Sequence, residues 1–122
     1  MANTILILDD DADILFFCTY VFEDLGFKVI ASKNCENIED QVRKANPDIM
    51  LIDNWIPDIG GVKATQILKA NTEFNHIPII LFSANSQLQQ LALEAGADSY
   101  LRKPFDLDEL EKIVQQFLSE RT

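Results

Sequence analysis

The sequence predicts an α/β domain in which a parallel β-sheet is covered by helices on both faces. Short apolar segments alternate with helical patterns along all 122 residues. The apolar segments do not alternate polar with apolar positions, which is typical of strands buried on both faces. Strands that are separated by helices are joined by crossover connections, and such connections favour parallel pairing.

Five short segments are predicted to be strands. The third is apolar at every position, as expected for the centre of a sheet with two covered faces. The segments cover residues 4–8, 28–31, 49–52, 79–82 and 99–101.

Five helices are predicted between and after these strands. Apolar residues recur at helical spacing in most of them, although the second helix is only weakly patterned. Gly26 and Gly96 follow the first and fourth helices as C-terminal stops, and Asn46-Pro47 closes the second. The helical patterns cover residues 14–25, 37–45, 62–70, 88–95 and 107–118.

The length fits one domain over residues 1–122, because globular domains are commonly of this size. No apolar run approaches the roughly 18 to 20 residues of a membrane helix. The N-terminal residues show neither a basic region nor the apolar core of a signal peptide. We therefore expect a single domain in the cytoplasm.

Charge and cysteine content exclude two further classes of protein. The net charge of −10 argues against a nucleic-acid surface, because phosphate backbones are bound by clustered Lys and Arg. Cys18 and Cys35 are not in a CxxC spacing and the chain has one His, so a zinc site is not expected.

Charged and hydroxyl side chains follow four of the predicted strands. Asp9-Asp10-Asp11 follows the first, Asp53 the third, Ser83 the fourth and Lys103-Pro104 the fifth. Ligands bind to parallel α/β sheets beyond the carboxyl ends of the strands. An Asp in this position is often only a turn residue or a helix N-cap, but several at adjoining strand ends predict a binding site.

Converging carboxylates require a counter-charge. Two unit charges about 4 Å apart repel by about 4 kcal/mol at an effective dielectric constant near 20. Lys103 supplies one positive charge, and a hard divalent cation such as Mg²⁺ would supply two more through oxygen ligands.

Four segments in order resemble the receiver domain of two-component response regulators. Ile5–Asp11 resembles the opening strand and acid pair, and Pro47–Asp53 the phosphoacceptor segment. Pro78–Ala84 is similar to the strand that ends in Ser/Thr-Ala, and Ala95–Phe105 to the closing segment with its Lys-Pro. The resemblance covers nearly the whole chain. It implies a doubly wound, flavodoxin-like fold of five parallel strands in the order 2-1-3-4-5 with five helices.

The resemblance also implies a phosphorylation site. Asp53 would be the nucleophile that accepts the phosphoryl group. Asp10, Asp53 and the backbone carbonyl of Trp55 would bind Mg²⁺ directly, and Asp9 would hold the metal through water. Ser83 would hydrogen-bond one phosphoryl oxygen.

Further roles follow from the same resemblance. Lys103 would pair with a phosphoryl oxygen, and Pro104 would follow a cis peptide bond. Tyr100 would act with Ser83 as the conformational switch. Trp55 and Asn85 would flank the path of the water that hydrolyses the acyl phosphate and would set its lifetime.

The implied function is a signalling switch that catalyses its own phosphorylation and is otherwise not an enzyme. Its partners would be a sensor histidine kinase or His-phosphotransfer protein and a downstream protein bound through helix 4, strand 5 and helix 5. Two alternatives stay open from the residues. The first is a haloacid-dehalogenase-type phosphatase, because Asp9-Asp10-Asp11 contains the Asp-x-Asp of those enzymes. The second is an inert receiver-like interaction module.

Overall fold

The computed structural model describes residues 3–57 and 59–119. Strands and helices alternate along the chain, as predicted. In order they are β1 (Thr4–Leu8), α1 (Ala12–Asp24), β2 (Lys28–Ser32), α2 (Ile38–Ala45), β3 (Ile49–Asp53), α3 (Gly61–Ala70), β4 (Ile79–Ser83), α4 (Leu88–Ala95), β5 (Ser99–Arg102) and α5 (Leu107–Ser119).

The five strands form one sheet in the order β2-β1-β3-β4-β5. Every neighbouring pair is parallel, so the predicted fold class and strand order are confirmed. The order places β3 in the centre, where all five of its residues are buried. The carboxyl ends of β1, β3 and β4 therefore lie side by side at one edge of the sheet.

Helices cover both faces of this sheet, and each face has its own apolar core. One core contains residues of α1 and α5, including Leu15, Phe22 and Val114. The other contains residues of α2, α3 and α4, including Val42 and Leu68. Burial on both faces explains why β3 and β4 show no polar alternation.

Several elements extend beyond their predicted limits. β3, β4 and β5 include Asp53, Ser83 and Arg102, each one residue past the apolar segment. The backbone ladder continues through these residues although their side chains are polar. α1 begins earlier than its apolar pattern because Asp11 caps it, accepting hydrogen bonds from the N–H groups of Asp13 and Ile14.

None of the helices in the two described ranges is long and apolar enough to span a bilayer.

Candidate functional site

Three carboxylates meet where β1 and β3 end. Asp9 directly follows β1, Asp10 is next, and Asp53 is the last residue of β3. One oxygen from each of the three lies within 4.8 Å of the others. Asp9 and Asp53 are buried, with 0% and 4% of their surfaces exposed, whereas Asp10 is exposed. The site therefore holds two nearly water-free carboxylates and one that faces solvent.

Lys103 lies between the two buried carboxylates. Its Nζ is 2.7 Å from Oδ2 of Asp9 and 3.0 Å from Oδ1 of Asp53. The ammonium also lies 4.7 Å from the centre of the Phe82 ring, in a cation–π contact. One positive charge thus faces three negative ones, which leaves the cluster with a net charge of −2 when all four groups are ionised.

The pKa values of Asp53 and Lys103 are both raised, but for different reasons. Burial raises the pKa of Asp53, and the hydrogen bond from Lys103 only partly offsets this while the charge of Asp9 adds to it. Burial alone would lower the pKa of Lys103, but its hydrogen bonds to Asp9 and Asp53 outweigh burial and raise that pKa. The raised pKa keeps Lys103 positively charged at neutral pH, whereas burial disfavours the ionised form of Asp53.

The loop after β3 folds back onto Asp53. The Trp55 N–H donates to Oδ2 of Asp53 over 3.1 Å, and the Gly61 N–H donates to the carbonyl of Asn54 over 3.1 Å. A Cβ on Gly61 would stand 2.3 Å from the carbonyl oxygen of Asp53, so this close approach requires glycine. Trp55 itself is 70% exposed.

Ser83 is the last residue of β4, and Asn85 lies in the turn that follows it. Ser83 is fully buried, and its Oγ accepts a hydrogen bond from the Asn85 N–H over 3.1 Å. Oδ1 of Asn85 accepts from the Gln87 N–H over 2.7 Å. These bonds fix the turn that joins β4 to α4, at the strand end next to Asp53.

The remaining predicted residues lie on β5 and directly after it. The peptide bond between Lys103 and Pro104 is cis. Tyr100 is 38% exposed on β5 and lines a shallow groove with Leu93 and Ala97. The structure thus brings Asp9 and Asp53 into direct contact with Lys103, groups Asp10 with these two acids, and places Tyr100 on the surface next to α4.

The acidic cluster suits a hard divalent cation. Carboxylate oxygens are the ligands that Mg²⁺ prefers, and a cation of charge +2 would balance the net charge of the cluster. Asp10 leaves an open side toward solvent, where Mg²⁺ could keep several of its waters.

Two features of the site were not predicted from the sequence. The first is the close approach of Gly61 to the carbonyl of Asp53, for which the sequence offers only the pair Gly60-Gly61 just before the third predicted helix. The second is a hydrogen bond from Nη1 of Arg102 to the carbonyl of Asn85 over 3.0 Å. Nothing in the local sequence of Arg102 distinguishes it from an ordinary exposed strand residue.

The geometry agrees with the comparison to known protein families. Residues 5–115 match the family model of the response regulator receiver domain. The chain belongs to this family. Receiver domains are signalling domains of two-component systems and are generally not enzymes, so neither the phosphatase nor the inert module is favoured. Receiver domains also bind Mg²⁺ at their acidic pocket.

Individual relatives support this assignment. The phosphate regulon transcriptional regulatory protein PhoB of Escherichia coli strain K12 is 30% identical over 112 residues, which is 90% of this receiver domain and 49% of PhoB. The chain thus spans about half the length of PhoB.

Two solved structures are also similar. The signal receiver domain of a signal transduction histidine kinase from Syntrophus aciditrophicus has a TM-score of 0.90 and 26% identity, covering 98% of this chain and 92% of that one. The receiver domain of the sensor histidine kinase PA1611 from Pseudomonas aeruginosa PAO1 has a TM-score of 0.89 and 26% identity, covering 98% and 99%. That structure holds a magnesium ion in its active site cleft.

Proposed function

We propose that this receiver domain is a Mg²⁺-dependent switch that is phosphorylated on Asp53. The observation that carries the proposal is the buried carboxylate of Asp53 at the end of the central strand, 3.0 Å from Lys103 and grouped with Asp9 and Asp10. An ionised carboxylate can attack phosphorus, and burial raises the free energy of this anion before the reaction.

The reaction is an in-line displacement. An oxygen of Asp53 forms the new bond to phosphorus, and the bond from phosphorus to the donor breaks, with its electron pair leaving on the donor. Lys103 already contacts Asp53 and would pair with an oxygen of the transferred group. Ser83 would donate its hydroxyl hydrogen to another of these oxygens, because an O–H group can donate while it accepts from Asn85.

The metal would be held by Asp10, Asp53 and the backbone carbonyl of Trp55, with Asp9 binding through water. When bound, Mg²⁺ neutralises negative charge on the transferred group. Asp9 has a second role in this scheme, because its contact with Lys103 keeps the ammonium beside Asp53.

Ser83 and Tyr100 would read out the phosphorylated state. Movement of the Ser83 hydroxyl toward the phosphoryl group would alter the turn before α4, and Tyr100 would turn inward from its half-exposed position. The surface formed by α4, β5 and α5 would then bind a downstream protein. Any such shift requires that the phosphoryl group make different contacts in the two states. Amide exchange should therefore change in α4 and β5 on phosphorylation, and changes confined to α1 and α2 would contradict this readout.

Trp55 and Asn85 would set the lifetime of the signal. The exposed indole of Trp55 lies two residues after Asp53 and would exclude the hydrolytic water. Oδ1 of Asn85 already accepts a hydrogen bond from the Gln87 N–H. Asn85 would therefore hydrogen-bond the hydrolytic water through its side-chain nitrogen, Nδ2.

The proposal includes the partners and the setting of the switch. The phosphodonor would be a sensor histidine kinase or a His-phosphotransfer protein, and residues 1–122 would act as one receiver unit. Cys18 and Cys35 are both buried free thiols, which agrees with a reducing, cytoplasmic environment.

One assay separates the proposal from its alternatives. The protein is incubated with Mg²⁺ and acetyl phosphate, and its intact mass is recorded over time. A switch gains the mass of one phosphoryl group, which is then lost slowly. Continuous release of phosphate without a labelled protein would instead indicate a phosphatase, and no change would indicate an inert module. Asp53→Asn keeps the shape of the side chain and should abolish labelling.

A further inference from the structure

The turn between β4 and α4 is hydrogen-bonded to β5 by the side chain of Arg102, which has no role in the phosphorylation scheme proposed above. Arg102 is the last residue of β5 and is exposed. Its Cα pairs with that of Ser83 across the sheet. From this position Nη1 of Arg102 donates to the carbonyl of Asn85 over 3.0 Å.

Asn85 is the residue through which the turn holds Ser83. Its N–H donates to Oγ of Ser83 over 3.1 Å, and its carbonyl accepts from the Leu88 N–H over 3.2 Å as well as from Arg102. Its side chain accepts from the Gln87 N–H. The charged guanidinium of Arg102 therefore donates to Asn85, the same residue whose N–H donates to the Ser83 hydroxyl.

Movement of Ser83 toward Asp53 must disturb this arrangement. Because the Ser83 hydroxyl can donate to a phosphoryl oxygen while it still accepts from Asn85, Asn85 would follow Ser83 and give up its bond from Arg102. In contrast, the neighbouring bond from the Lys103 N–H to the Ser83 carbonyl joins backbone to backbone just past the end of β5 and does not involve the side chain of Ser83.

We propose that Arg102 is a positioning residue that holds the turn between β4 and α4, and with it Ser83, in the unphosphorylated arrangement. The inference rests on the proposed function, because it concerns how easily the phosphorylated state is reached. A bond that is made in one of two conformations shifts the equilibrium toward that conformation. Arg102 thus reduces activation in the absence of signal.

Arg102→Met tests this role, because methionine fills similar space but cannot donate. Beryllium fluoride, which mimics a phosphoryl group on a carboxylate, serves as the probe in the presence of Mg²⁺. The concentration that gives half of the chemical-shift change at the Asn85 amide should fall by about two- to fivefold, as expected for the loss of one hydrogen bond. Without the probe, amide exchange of residues 84–88 should be faster than in the native protein.

Arg43→Met is the matched control. Arg43 is also exposed and its substitution also removes one positive charge, but it lies in α2 and pairs with Asp40 and Glu73 instead of with a residue of this turn. Removal of a positive charge should by itself weaken binding of an anionic mimic, so a general charge effect has the opposite sign to the one expected for Arg102→Met.

The outcomes are distinct. If the native protein does not respond to beryllium fluoride, the proposed function fails. If the native protein responds but Arg102→Met needs the same or a higher concentration, the role of Arg102 is overturned and the proposed function stands. Tighter binding in Arg102→Met, with no such gain in Arg43→Met, supports the inference.

Discussion

Replacement of Asp10 by Asn should stabilise the metal-free protein and weaken its response to Mg²⁺. The carboxylate oxygens of Asp9, Asp10 and Asp53 lie within 4.8 Å of one another, and Lys103 pairs with Asp9 and Asp53. Asn in place of Asp10 therefore relieves two repulsions without breaking those two ion pairs. Because Asp10 is exposed, solvent screens each repulsion to about 1 kcal/mol.

The expected gain in the free energy of unfolding is therefore about 1 to 2 kcal/mol. For a domain of this size, such a gain raises the melting temperature by about 4 to 8 °C. Thermal melts with and without Mg²⁺ measure both effects. Mg²⁺ that binds the folded state should raise the melting temperature of the native protein, and it should raise that of Asp10→Asn much less.

Asp13→Asn is the control, since it changes the net charge equally but lies in the first turn of α1, outside the acidic cluster. It should leave the Mg²⁺ response intact and give no comparable gain in stability. An undiminished Mg²⁺ response in Asp10→Asn would refute the assignment of Asp10 as a metal ligand. Equal stabilisation by both variants would show that net charge alone is responsible.

Three further outcomes are expected. Gly61→Ala should lower the free energy of unfolding by about 2 kcal/mol or more in denaturant melts, because its Cβ would stand 2.3 Å from the Asp53 carbonyl; an unchanged midpoint would contradict this. Without metal, the contribution of Asp53 to stability should fall as pH rises from the ordinary Asp pKa of 3.8 through the raised pKa of Asp53, because the folded state keeps that proton longer than the unfolded chain. The free energy of unfolding of Asp53→Asn minus that of the native protein should therefore become more positive as pH rises through this window. A difference that does not change with pH would contradict the raised pKa of Asp53. Trp55→Asn should lose its phosphoryl group about tenfold faster than the native protein, a change of about 1.4 kcal/mol in the barrier, and an equal or slower rate would overturn shielding by the indole.

The fold was predictable because its signals are local and repeated. Uniformly apolar segments indicate strands with two covered faces, and β3 and β4 are buried along their full lengths. The limits of elements were less predictable where a polar residue continues the backbone ladder. Asp53 and Ser83 are such residues, and each is the last of its strand.

The site was partly predictable for a different reason. Parallel strands bring their carboxyl ends to one edge, so the sequence placed Asp9, Asp53 and Lys103 near each other. Their contacts depend on side-chain conformation, which no spacing encodes. The bond from Arg102 to Asn85 joins residues 17 apart in sequence and depends on the pairing of Arg102 with Ser83 across the sheet.

The position of the phosphoryl group tests the central claim most directly. After reaction with acetyl phosphate and Mg²⁺, the protein is treated with borohydride, which reduces an aspartyl phosphate to homoserine, and its peptides are sequenced by mass spectrometry. We predict homoserine at position 53 and unmodified Asp9 and Asp10. Homoserine at position 9 or 10 with Asp53 unmodified would contradict the assignment of Asp53 as the phosphoacceptor.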